Sequence, residues 1–441
     1  MKVDRRSFFA GAAALGATAH VADLVDVSRD APSFLPGGEG KVVALREYDH
    51  VVVGGGFAGV AAALASARAG AKTCLIERTN VLGGLSTQGH IIVFMPLCDG
   101  YGRQVTFGIP EELLRLPMKY SAAKPNGAWV DKKGTKAELS AARYELVFDP
   151  GPMMLGLERA LVDAGVDIFY DCSVDKVIIN GPCLAQLLAH CGAQCLAFRA
   201  NAFTDATGSA TLARLCGAAT VGGRAGNIPC GWYYVVDGER HVSLRCGAGK
   251  TLRKLDPAAA RDYAGDDADE RSRHAIASRR AILLDIEEEN KRRAALGQES
   301  LHVFSIPTYP TLLKLARVAG EGAKGAIVGI FSDWRRKGPV YPLRFGQLLV
   351  PGVSNLLTAG RCIACADEMW DVVRCLPACC VSGQAAGTAA ALLAKGGSFE
   401  SLDGEDLRKR LVASGVRLDA ELLKPDPEWK GGGEMREEGI F

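Results

Sequence analysis

The stretch Val51-Val52-Val53-Gly54-Gly55-Gly56-Phe57-Ala58-Gly59 decides the fold. Three β-branched apolar residues in a row read as a strand buried on both faces. Gly54, Gly56 and Gly59 follow at the spacing G-x-G-x-x-G, and the Ala-rich run 60–69 then reads as a helix stopped at Gly70. Thr73-Cys74-Leu75-Ile76 is a second strand, and Glu77 ends it, 23 residues after Gly54. The glycine motif is weak alone. Between a strand and a helix, with an acid closing the second strand, it is a dinucleotide fingerprint. Gly54 permits the tight turn, Gly56 lets the backbone approach a diphosphate, and Gly59 permits close helix–strand packing. The free N–H groups of the helix N-terminus favour phosphates. Glu77 is placed to accept ribose hydroxyls, and its charge disfavours a 2′-phosphate.

Further ligand-contact signals lie far along the chain. Leu82-Gly83-Gly84-Leu85-Ser86-Thr87 suits a loop that wraps a long ligand. Asp205-Ala206-Thr207-Gly208 is a strand-end turn, and Asn355–Arg361 is a strand ending in Gly360-Arg361. Gly383-Gln384-Ala385-Ala386-Gly387 is expected to open a small-residue helix. No second strand–GxGxxG–helix unit occurs. Contacts so dispersed imply one extended cofactor, FAD, rather than a separable NAD domain.

These motifs, with Phe107–Leu114, Asp333-Trp334-Arg335, Gly338–Tyr341 and Ala359–Cys362, make residues 48–395 resemble the FAD-dependent oxidoreductases related to the flavin-carrying subunit of heterodisulfide reductase. The resemblance implies an α/β fold: a glutathione-reductase-like FAD-binding Rossmann fold with an inserted α+β substrate domain. It also implies cofactor contacts at Gly54, Gly56, Phe57, Ala58 and Gly59, at Glu77 and Arg78, and at Gly83, Gly84 and Ser86. Further contacts are implied at Val174, at Ala206, Thr207 and Gly208, at Gly360 and Arg361, and at Gly383, Gln384 and Ala385. The chain departs from its relatives where Ser209-Ala210-Thr211 replaces an acidic residue. It departs again at Asp367, which stands where a histidine is usual, and at Thr311–Leu315, which replaces an arginine-rich segment.

Flavin supplies hydride or single-electron chemistry, and the protein supplies orientation and charge. The function expected is therefore an FAD-dependent oxidoreductase acting on a small molecule. By resemblance, the helix opening at Gly383-Gln384 is expected beside the flavin. Arg374 is the candidate cation for substrate or flavin charge, and Asp367 and Glu368 are candidate proton donors or acceptors. Cys362-x-x-Cys365, Cys375 and Cys379-Cys380 cluster within nineteen residues. They lack the tighter C-x₂-C-x₂-C run of a four-iron site, so they read as buried thiols and no metal ligand is assigned. The alternative is an electron-transfer flavoprotein subunit relaying electrons to a partner, with an iron–sulfur cluster. A segment as large as 217–345 argues against it, because a relay needs no substrate domain.

The boundaries expected are an export signal at 1–19, a linker at 20–46 and a first FAD-binding part at 47–216, with an insertion near 99–150. A substrate or cap domain at 217–345, a second FAD-binding part at 346–418 and a loosely ordered tail at 419–441 complete the chain. Arg5-Arg6 before Phe8-Phe9, a short apolar run and small residues at 17–19 resemble a twin-arginine signal. The expected location is the periplasm or beyond the cytoplasmic membrane. That route carries folded proteins out of a reducing compartment, so the 14 cysteines are not expected to form a disulfide framework. The charged stretch 252–296 reads as a solvated helical face. With 52 basic and 50 acidic residues, the chain has no concentrated basic footprint for nucleic acid. After the signal no run is expected to span a membrane.

Overall fold

The computed structural model describes residues 42–229, 231–309, 311, 312, 314–320, 322 and 324–431. The export signal and the end of the tail lie outside them.

Strand β1 (Val42–Val53) runs into helix α1 (Phe57–Arg68) and strand β2 (Thr73–Ile76). β1 pairs in parallel with β2 through Val51↔Cys74 and Val53↔Ile76. Val52 and Leu75 enter the core under α1, while Val51, Val53, Cys74 and Ile76 enter the core on the opposite face. This alternation is what a sheet covered on both sides requires. β1 begins at Val42, so the last residues assigned to the linker are strand. They pair with the strand Gln194–Asp205 as far back as Val42↔Cys195.

The sheet grows with β3 (Asp167–Phe169), β4 (Cys172–Asn180), β5 (Cys183–Cys191) and β6 (Gln194–Asp205). Its order is β3-β2-β1-β6-β5-β4, with a further strand, Leu356–Thr358, beside the end of β6. β4, β5 and β6 form an antiparallel meander. Its first two strands are joined by a Cys172–Cys191 disulfide, contrary to the expectation of free thiols. The two residues are cross-strand neighbours in the register, a proximity the sequence spacing does not reveal.

The inserted domain holds a three-stranded antiparallel sheet: β7 (Tyr233–Val236) between β8 (Val242–Arg245) and β9 (His302–Ser305). Helix α2 (Ala268–Ala295) packs on it through Ala281, Ile282 and Ile286. This helix is not a solvated face throughout: His274, Ala277, Ser278 and Asp285 are buried as well. Asp285 accepts from Tyr233 Oη at 2.9 Å, Arg245 Nε at 2.6 Å and Thr251 Oγ1 at 2.6 Å. The hairpin formed by 327–332 and 340–344 does not belong to this small core. Its Val328, Ile330, Phe331 and Leu343 join the main core, so the inserted unit ends well before 345.

Helix α3 (Leu376–Leu392) is buried along nearly its whole length. It starts seven residues before the expected Gly383, because Pro377 sits in its first turn, the helical position proline tolerates best. With its last turn, Leu376–Lys395 is long and apolar enough to cross a membrane, contrary to the expectation that no later run would be, yet 83% of it is buried here. The tail packs too. Ala420–Leu423 is helical, and Lys136 pairs with Asp426 at 3.1 Å and with Glu428 at 2.7 Å.

Candidate active site

One cavity brings together most of the residues singled out in the sequence. Its wall contains Gly54, Gly56, Phe57 and Ala58, then Glu77 and Arg78, then Gly83, Gly84 and Ser86. Val174, Ala206, Thr207, Gly208, Gly360, Arg361 and Arg374 also face it. At its centre is the start of α1, whose N-cap Gly56 offers no side-chain acceptor. The first backbone N–H groups therefore lack side-chain capping, which leaves an anion-binding helix end. Gly54 has φ +106°, and a Cβ there would lie 2.5 Å from the Ala206 carbonyl oxygen. A Cβ on Gly56 would meet nothing within 4 Å, so that position borders open space. Gly59 lies outside the wall and serves packing, since its Cβ would sit 1.8 Å from the Gly54 oxygen.

Glu77 is fixed by its own surroundings. One carboxylate oxygen accepts from the Gly55 N–H at 2.7 Å, and the other from Thr79 N–H at 2.9 Å and Thr79 Oγ1 at 2.8 Å. Asp205 organises the Ala206-Thr207-Gly208 turn, accepting from Thr207 N–H, Thr207 Oγ1 and Ala213 N–H at 2.7–3.0 Å. Burial pushes its carboxyl above the usual aspartate range even so.

The far end of the cavity is lined by Val93, Met95, Arg374, Cys375, Leu376 and Cys379. Here the α3 N-terminus, with Cys375 as an N-cap that makes no side-chain cap bond, takes the place expected for Gly383-Gln384. Gly383, Gln384 and Ala385 are inside the helix and outside the wall. Gln384 instead accepts from the Ile109 N–H at 3.0 Å and donates to Ser414 Oγ at 3.2 Å. Arg374 reaches the cavity while its Nε donates to Asp371 at 3.0 Å.

The structure does not bring Asp367 and Glu368 to the cavity. They occupy the exposed first turn of helix 367–373, where carboxylates complement the helix dipole. Asp367 is paired with Arg317, which lies on the short strand Arg317–Val318. Among the described residues, the wall beside Arg374 holds no histidine or carboxylate. Its thiols stay protonated: burial pushes both Cys375 and Cys379 up to about 12. Cys362 Sγ accepts from the Ala210 N–H at 3.2 Å, a structural contact. Among the described residues no group of three or more His, Cys, Asp or Glu is placed to hold a metal ion.

Sequence reasoning missed Arg271 of α2 and Tyr309, which enter this cavity from the inserted domain. No local motif marks them. The only signal in the chain is the run of arginines on α2, which reads equally well as a solvated face.

The family model for "FAD dependent oxidoreductase" matches residues 49–309 and 326–411. The chain belongs to this family. A 113-residue stretch is 33% identical to the tRNA uridine 5-carboxymethylaminomethyl modification enzyme of Wolinella succinogenes, covering 23% of this chain and only 17% of that relative's length. Among solved structures, the flavin-dependent brominase Bmp2 aligns at a TM-score of 0.41 and 14% identity, over 84% of this chain and 83% of its own. The 3-ketosteroid-delta4-(5alpha)-dehydrogenase from Rhodococcus jostii RHA1 aligns at 0.36 and 16%, over 81% and 97%.

This family member is an FAD-dependent oxidoreductase, and its residues fit the cofactor. Gly56 leaves room at a helix end without side-chain capping, Glu77 lines the same cavity, and the α3 N-terminus opens at its other end. Bound FAD supplies hydride or single-electron transfer. At that other end the chain presents the N-terminus of α3 and Arg374, and Met95, Trp334 and Cys375 cluster as an apolar backing.

Proposed function

We propose that the small-molecule substrate of this oxidoreductase docks at the Val93–Met95–Arg374 end of the cavity, with Arg374 holding an anionic group of the substrate. The observation that carries this reading is the single cavity joining the dinucleotide turn to the Arg374 wall. Arg374 is the side chain this reading uses, and it assigns that residue orientation and charge. Anaerobic reduction of the bound flavin by candidate donors tests it. Arg374→Ala is expected to retain FAD and slow reduction by about a hundredfold, the size typical of losing one preorganised charge contact. Reduction at the wild-type rate with the true substrate moves the search to Asp333–Arg336. Tolerance of the change with chemical reductants, and failure only with a protein partner, favours the relay alternative.

The finer kinship, to enzymes related to the flavin-carrying subunit of heterodisulfide reductase, rests on the motifs at 205–208, 333–341 and 359–362. Export by the twin-arginine route is part of the same reading. Its support is Arg5-Arg6 with the small residues at 17–19. Changing both Arg5 and Arg6 to Lys is expected to hold the precursor in the cytoplasm. Unchanged export of that double variant removes the claim.

A further inference from the structure

Three guanidinium groups face the ribose end of the cavity without a carboxylate partner. Arg78 follows Glu77 at the end of β2, Arg361 follows the strand 356–358, and Arg271 comes from α2 of the inserted domain. Among the described residues none of the three lies within salt-bridge distance of an acid, whereas Arg374 in the same wall is paired with Asp371. Arg361 donates to the Leu312 carbonyl oxygen at 2.7 Å. Tyr309 ties the other two together. The Arg78 guanidinium lies 4.5 Å from its ring centroid and bonds its hydroxyl, and Arg271 Nη2 donates to that hydroxyl at 3.0 Å.

Arg271 and Arg361 are partly buried and Arg78 is exposed, and like charges gathered at one wall repel unless something negative joins them. All three are held below the ordinary arginine value. Desolvation is the first cause for each; at Arg78, Arg271 and Arg361 add repulsion that the neighbouring Glu77 opposes, and at Arg361, Arg374 and Arg271 add repulsion that Cys379 and Cys362 oppose. A purely structural arginine is normally given an acid or several carbonyls. An anionic ligand would supply the remaining counter-charge, and the reading of Glu77 and the α1 N-terminus as a dinucleotide site puts a ribose and a diphosphate in that part of the cavity.

We propose that Arg271 and Tyr309 of the inserted domain close over the diphosphate of FAD, so that this domain is part of the cofactor site and cofactor binding docks it. The inference rests on FAD being the ligand of this cavity. It gives the inserted domain a second role beside covering the substrate end. Tyr309 is a positioning residue: its ring carries Arg78, and its hydroxyl orients Arg271.

The test uses full-length protein stripped of flavin and titrated with FAD and, separately, with ADP, which carries the diphosphate but no flavin ring. Arg271→Gln is expected to weaken both ligands by the same factor, about tenfold or more, as for loss of a hydrogen bond to a charged group. Tyr309→Phe is expected to weaken both less. In wild type, ADP alone should slow tryptic cleavage within 268–295, and in Arg271→Gln it should not. An unchanged melting temperature of the flavin-free variant shows that its fold is intact; should it melt early, Arg271→Lys, which keeps the charge, is expected to restore most of the affinity. Wild-type affinity for both ligands in Arg271→Gln overturns the proposal. So does a loss confined to FAD, which puts the contact on the flavin half. Wild-type protein that takes up neither FAD nor ADP overturns the FAD assignment itself, and this proposal with it.

Discussion

Gly56 and Gly383 lie on two helices that meet in the core, α1 and α3, and both belong to glycine-rich stretches that read as ligand contacts. Their surroundings differ completely. A Cβ on Gly56 would enter open cavity, whereas a Cβ on Gly383 would lie 2.1 Å from the Ala58 oxygen, and one on Gly387 would lie 2.0 Å from the Ala62 oxygen. Gly383 and Gly387 are one helical turn apart and meet Ala58 and Ala62, spaced the same way on α1. Small residues at i and i+4 share one helix face, so they let two backbones approach closely. The first glycine keeps space for a ligand, and the second pair removes space between helices. Glycine spacing alone cannot tell these uses apart.

The largest effect that tests this contrast is on folding. Gly383→Ala, and still more Gly383→Val, must push α3 away from α1, because the obstructing atoms are backbone. A loss of about 4 kcal/mol or more is expected, in the range reserved for severe core disruption. It should be visible as loss of soluble protein and early melting whether or not FAD is present. A Gly383→Ala protein that melts like wild type breaks the comparison.

Gly56→Val should do the reverse. The flavin-free protein is expected to melt within about 0.5 kcal/mol of wild type, but to purify without flavin absorbance. Full FAD occupancy in that variant contradicts the placement of the diphosphate at α1.

The smallest effect concerns a group in neither place. His50 on β1 is fully buried, with Nε2 2.8 Å from Thr204 Oγ1, and burial lowers its pKa to about 3. The unfolded chain takes up this proton near pH 6.5 and the folded chain only near pH 3, so between those values protons favour unfolding. Stability from this group is complete above about pH 6.5 and falls as pH drops toward 3. By about pH 5 the loss is about 2 kcal/mol. Denaturant midpoints at about pH 7 and about pH 5 should show it, with a smaller drop in His50→Gln. FAD affinity at neutral pH should not change in that variant, which sets the baseline for a purely structural substitution.

Much of the cofactor end was legible because its signals are local. Gly54, Gly56, Gly59 and Glu77 fall within one βαβ unit, and the Ala206–Gly208 and Gly360–Arg361 turns each close a strand. The flavin end is less legible. Arg374 reaches the cavity, but Asp367 and Glu368, seven and six residues earlier, face water because a helical turn aims them outward and Arg317 holds the first. The start of α3 is easily misplaced because Gly383-Gln384 looks like an opening, while the true opening carries one local signal, Pro377 in the first turn, set among Cys375, Cys379 and Cys380.

The strand–turn–helix at 51–68, the acid that follows it and the family these imply can be read from local sequence. Each depends on steric and hydrogen-bonding preferences among neighbours in the chain, and those act before any distant contact forms. Packing between distant segments sets which glycines border an open cavity and which border another helix, that Cys172 meets Cys191, and that Arg271 and Tyr309 reach a cavity that begins near residue 54. Those outcomes depend on how separate elements pack, and close packing between segments far apart in the chain leaves no periodicity or spacing in the sequence.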